Sequence, residues 1–209
     1  MQKIRQNTLS QLKKLGLSKH IPLPMLEDNL QIRPKIDVAN RINILHLCYA
    51  LYLRGKESHS FFYQIIQQLQ LIPYLTHQEV LCFQKGMITD QNLIDFSWCK
   101  ESIKMFLGMA SIVHENLYED FTECDFANYY AFIPPEKPQD AFINSIILKV
   151  TEQISRYLDF YYCFHWHLKH DTTDKGILPI QRSVIIERRK ALEWLTHPDV
   201  DWNSICLDT

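Results

Sequence analysis

The sequence predicts an all-α fold in a single domain, and three observations carry that prediction. Apolar residues recur at helical spacing through the long segments, and no strand-like alternation survives beside them. The chain of 209 residues holds only 5 glycines and 9 prolines, punctuation that suits long helices and short connections. Apolar residues make up 46 %, so the chain can bury a substantial core.

Each element has its own signal. Residues 3–16 place Ile4, Leu9, Leu12 and Leu15 among basic residues, a short amphipathic helix stopped near Gly16. The stretch 21–34, "IPLPMLEDNLQIRP", has three prolines and reads as an extended connection. Residues 35–53 are apolar almost all round, which marks a central helix. Ser58 can cap a helix striped by Phe61, Phe62, Ile65, Ile66 and Leu69 and stopped by Pro73. "THQE" (76–79) has capping-box spacing, with Thr76 as N-cap and Glu79 three residues on, and opens a helix to about Lys85. Thr89 or Asp90 starts the next, to about residue 113.

The character then changes. Residues 114–139 are acidic and aromatic, end in three prolines and lack a helical period. They predict one long irregular loop across the surface; loops of such length often carry function, but aromatics that anchor the loop to the body are the simpler reading. Asp140 can cap a helix to about Glu152 that continues or kinks into 153–170. "DTTDKG" (171–176) reads as a turn. Residues 181–195 form a last helix, with Val184, Ile185, Arg188, Ala191, Leu192 and Leu195 on one side.

Composition excludes several function classes. Net charge is −2, from 22 basic and 24 acidic residues, so no global field draws in nucleic acid. The basic run "RRK" (188–190) is too short to count. The longest apolar-rich run, 42–53, falls short of the roughly 20 residues of a membrane span. No apolar leader follows Met1, and the six cysteines lack paired spacing, so reduced thiols in a cytoplasmic protein are expected. There is no nucleophile–base motif, phosphate-cradling glycine loop or HExxH. The expectation is a protein with no catalytic residues, no cofactor and no metal.

"DFYYCFHWHLKH" (159–170) tests the metal expectation hardest. On a helix, residues two apart diverge by about 200°, so His165 and His167 face different sides. His167 and His170 are neighbours, but a helical zinc pair usually takes i,i+4 spacing and needs a third ligand. Packed or surface histidines are the simpler reading. Trp166, with Tyr162 and Lys169, gives this helix an aromatic face with polar tips.

The chain resembles the bacterial domain-of-unknown-function 4272 family over nearly its whole length. The stretches that carry the resemblance are "IRPKIDVANRINIL" (32–45), "LTHQE" (75–79), "WCKESI" (98–103), "LDFYYCFHW" (158–166), "VIIERRKALEWL" (184–195) and the closing "DWNSICLDT". Their order and spacing together make the match specific. Asp37 stands where the family more often has glutamate, and His167 where it more often has a small residue. The resemblance implies a helical fold and transfers no catalytic assignment. Small families of this kind often sit beside secreted toxins, which raises an immunity role by analogy.

Two sets of residues are candidate sites. Arg33, Arg41, Glu101, His165, Trp166, Glu187 and Arg188, with Asp208, lie in or beside apolar helical segments, where charges must be paired. They form either a structural network that fixes helix register or a cleft for a polar ligand. Glu119, Asp120, Glu123, Asp125, Tyr129 and Tyr130 form an acidic, aromatic stretch of the kind that fits a basic partner protein. The leading expectation is a module that binds another protein, such as a cognate toxin. The alternative is a small-ligand binder or hydrolase-like enzyme that uses Glu101, Glu187 and His165.

Overall fold

In the computed structural model, which describes residues 1–17, 21–135, 137–170 and 181–208, the chain is helical, with no strand among the described residues. Helix α1 spans Gln2–Lys14, α2 Lys35–Arg54, α3 His59–Gln68 and α4 His77–Lys85. Then come α5, Asp90–Met109, α6, Gln139–Ser145, α7, Thr151–His170, and α8, Arg182–Thr196. The turn expected at 171–176 lies outside the described residues.

Five helices stand side by side in an order unlike their order in the chain. α1 packs on α7, α7 on α8, α8 on α5 and α5 on α2, while α3 and α4 pair at the α2 end. α2 and α5 are buried on nearly every side, as the all-round apolar pattern of α2 predicts. Trp194 lies in the same buried cluster as Ile42, Leu45 and Phe106, and Trp166 packs on its margin.

Local chemistry sets the ends of α4 and the start of α5. Thr76 and Glu79 close the expected capping box, Glu79 N donating to Thr76 Oγ1 at 3.3 Å and Thr76 N to Glu79 Oε2 at 2.7 Å. Thr89 makes a second box with Asn92. Ser58 does not cap α3: it ends a 3-10 turn, Lys56–Ser58, and its hydroxyl donates back to Arg54 O. Gly86 ends α4 in the left-handed conformation, with φ of 63°.

The helix expected at 140–152 is shorter. Pro138 precedes the first turn, Asp140 lies within it, and α6 stops at Ser145. Residues 146–150 then run along the end of α5, where Ile147 N donates to Ala110 O and Lys149 N to Met109 O. The last carbonyls of a helix lack intrahelical donors, and this stretch supplies two. That demand outweighs the helical period of 140–152.

Residues 110–135 are irregular apart from 3-10 turns at Phe126–Asn128 and Tyr130–Phe132. This segment is not simply surface. Leu117, Phe121, Cys124, Phe126, Tyr129 and Ile133 are buried, so the loop forms a wall of the core. Gly108 of α5 makes room for it: a Cβ there would stand 2.7 Å from Leu117 Cδ1. Five cysteines are buried, Cys206 is exposed, and all six are free.

Gly86→Ala should lower stability by more than about 1 kcal/mol, because it forces alanine into a left-handed backbone. Its Cβ would also meet His59 Nε2 at 2.8 Å. The midpoint of denaturant unfolding reads this directly; a midpoint equal to the parent's would contradict it.

Candidate functional site

The candidate residues separate into distinct surroundings, and the deepest is an ion pair. Glu101 of α5 and Arg188 of α8 are both fully buried, with Arg188 Nε and Nη2 donating to Glu101 Oε2 at 3.0 and 2.8 Å. Their remaining polar atoms go to the long loop. Cys124 N donates to Glu101 Oε1 at 2.6 Å, and Arg188 donates to the carbonyls of Asp120 and Thr122. Tyr161 of α7 donates to Leu117 O at 2.7 Å. Burial alone would lower the Arg188 pKa, but Tyr161 and Glu101 outweigh it and hold the guanidinium charged. The pair therefore serves the loop's buried backbone, which would otherwise lack partners.

The outer side of the loop carries the acids. Lys104, itself buried, reaches Asp120 at 2.9 Å and Glu115 at 3.2 Å. Lys100 pairs with Glu123. Asp125 Oδ1 accepts from Ala127 N and so caps a 3-10 turn. Glu119 is exposed. Tyr129 is buried and donates its hydroxyl to Glu115 at 2.8 Å. Tyr130 is 43 % exposed and meets the His46 ring edge-on, with Phe126, Tyr49 and Tyr52 continuing the row of rings along α2.

Arg33 and Arg41 meet elsewhere, around Trp194 and Trp202. Arg33 caps the end of α8: its Nε donates to Trp194 O and its Nη2 to His197 O, both at 2.7 Å, and its guanidinium lies 3.9 Å from the Trp194 ring centroid. A cation at a helix C-terminus is favourably placed. Arg41 pairs with Glu79 at 2.7 Å, not with Glu101 or Glu187, and donates to Tyr74 O. The two arginines, Asp37 and Asp201 line a cleft of about 170 Å³. On the other side of Trp202 lies a second cavity of about 210 Å³, bordered by Glu187 and Lys190. Glu187 accepts from Ser102 Oγ at 3.2 Å.

His165 and Trp166 belong to neither cleft. Arg189 Nη1 donates to His165 Nδ1 at 2.8 Å and also to Leu207 O, near the chain end. Burial, then the charges of Arg189 and Lys169, push the His165 pKa down to about 4. Trp166 stacks on His170, with centroids 4.6 Å apart. Asp208 accepts from Cys206 and takes no part in these sets. Among the described residues, no group of three or more His, Cys, Asp or Glu side chains is placed to hold a metal ion.

Other buried charges carry weight that the sequence reading did not assign. Arg5 of α1 holds Asp159 of α7 at 2.8 Å with both side chains buried, and Arg189 holds Glu193 at 3.1 Å. The signal for Arg5 is its place beside Ile4, Thr8 and Leu12 on the buried side of α1.

Glu101→Ala should cost about 3–5 kcal/mol, because it strands Arg188 in the interior. Faster amide hydrogen exchange at residues 117–124 would show that the loop has lost its anchor; unchanged exchange there would refute this role.

Acid should loosen the same loop in a defined window. Burial alone would raise Asp120, but hydrogen bonds from Lys104 and Thr122 outweigh it and hold the carboxyl at about 2, below its ordinary 3.8. A depressed carboxylate contributes stability above its unfolded value and loses it as pH falls through the folded one. His165 adds to the acid sensitivity: held at about 4 against 6.5, it is more readily protonated once unfolded. Protection of the Thr122 and Cys124 amides, taken relative to their intrinsic exchange rates, should fall as pH drops from about 4 towards 2, and Asp120→Asn should remove most of that dependence.

Neither a curated protein nor a solved structure matches the chain. A family model does, over residues 4–205. Its span takes in the capped helices, the locked loop and both clefts around Trp202. The chain belongs to the family described as Domain of unknown function (DUF4272).

Proposed function

We propose that this chain is a protein-binding module that engages a basic partner through the outer face of the 114–133 loop. In its specific form it is an immunity protein that neutralises a cognate toxin in the cytoplasm. One observation carries the reading: Glu119, Tyr130 and Phe132 all stand exposed on a loop whose inner side is held by the buried Glu101–Arg188 pair. Interface anchors are commonly aromatic, and a preorganised loop loses less entropy on binding than a mobile one. Tyr52, 42 % exposed, adds a further exposed ring. The acids supply charge complementarity for a basic partner. Among the described residues no helix is long and apolar enough to cross a membrane, and the free buried thiols suit a reducing compartment.

The test is affinity purification of the tagged chain from its own host beside a Glu119→Lys, Tyr130→Ala variant. The expected outcome is a basic protein retained by the parent and weakened at least about tenfold in the variant, with melting temperature little changed. Retention should also fall as salt rises. Equal retention by parent and variant would reject this face.

A further inference from the structure

The cavity beneath Trp202 has no part in the loop and carries groups that the fold leaves uncommitted. It lies among α2, α4, α5 and α8, with an apolar floor that includes Leu45 and Phe96 and a volume of about 210 Å³. Four polar side chains on its wall matter: Asn92, Asp95, Glu187 and Lys190.

Asn92 is only 9 % exposed. Its Oδ1 accepts three hydrogen bonds, from Thr89 N, Thr89 Oγ1 and Gln78 Nε2. Those bonds fix which end of the amide is oxygen. Its Nδ2 donates to nothing among the described residues and keeps contact with solvent, so a free donor stands at the cavity wall.

The charges are unmatched in a complementary sense. Glu187 takes a hydrogen bond from Ser102, and Asp95 one from Gln91, but neither has a cation within ion-pair distance among the described residues. Lys190 lies over the Trp202 ring, 4.7 Å from its centroid, instead of on a carboxylate. Glu79, also on the wall, is spent on Arg41. Two carboxylates against one ammonium leave room for one more positive charge.

We propose that this cavity binds a small molecule carrying a primary ammonium beside a carbonyl, the ammonium held by Glu187 and Asp95 and the carbonyl by Asn92 Nδ2. The mixed lining, an apolar floor with a few convergent polar groups, is the usual form of a small-molecule site. The volume is below the roughly 300–1,000 Å³ of drug-sized pockets, which restricts the ligand to a few heavy atoms or to the head group of a longer one. Burial, opposed by Lys190 and Ser102, raises the Glu187 pKa; a cation at this position would lower it again and so be bound more firmly. The site is independent of the protein-binding face, and either reading can fail without the other.

The experiment is calorimetric titration of the intact chain at neutral pH with glycinamide, which has both groups. Acetamide, which lacks the ammonium, and acetate, which reverses the charge, serve as comparisons. Glycinamide should bind saturably with a dissociation constant of about 1 mM or tighter, and the other two at least about tenfold more weakly. Glu187→Gln keeps an acceptor for Ser102, and Asp95→Asn alters an exposed rim position, so both variants should fold. Each should weaken glycinamide by about tenfold. Absence of saturable binding, equal binding of acetamide, a preference for acetate, or unchanged affinity in both variants would overturn the proposal.

Discussion

The buried contact between Glu101 and Arg188 is the constraint on which the loop side of the molecule depends. A carboxylate and a guanidinium at zero exposure recover their lost hydration only if every polar atom finds a partner. Here the partners are backbone groups of the loop at Asp120, Thr122 and Cys124. The pair thus does more than join α5 to α8. It converts an irregular segment, whose own hydrogen bonds are mostly short-range turns, into a fixed part of the core. The outward acids and aromatics gain their definition from this inner attachment.

Much of the helical framework was legible in the sequence, and the reasons are local. Capping at Thr76 and the all-round burial of α2 depend on residues within a turn or two of each other. The break at Ser145 was not legible, because its cause is a set of carbonyls at the end of another helix. That the loop's aromatics anchor it was legible, but which other residues turn inward was not: their spacing follows no regular period, so Leu117 and Cys124 gave no signal. Pairing among the charges was the least accessible. Periodicity identifies the face on which Arg41 lies, but not that Glu79, already occupied as a capping residue, would meet it there. Within the candidate cluster Arg33, Arg41, Glu101 and Arg188 are buried, His165, Trp166 and Glu187 are half-buried and Asp208 is exposed, and they lie in separate surroundings.

Aromatic rings and arginines join the opposite side of the bundle by a different device. Arg33 stacks on Trp194 while donating to carbonyls at the end of α8, and Phe106, Trp194 and Trp202 meet one another. Planar guanidinium groups can satisfy carbonyls at their edge and rings at their face together, which an ammonium cannot do. Both clefts open beside this assembly, so their walls inherit its rigidity.

The order of the five central helices carries a consequence for how the chain is made. α1 is synthesised well before α7, its neighbour in the bundle, and the Arg5–Asp159 contact spans 154 residues. Until most of the chain has left the ribosome, α1 has no native surface to cover its apolar stripe, and a helix of that length is marginal alone in water. Closing so long a loop must precede the contacts that reward it. Among these helices α1 is thus the first to emerge and has to wait for α7 to find its place. In the interval it is exposed to chaperones, proteases and other nascent chains.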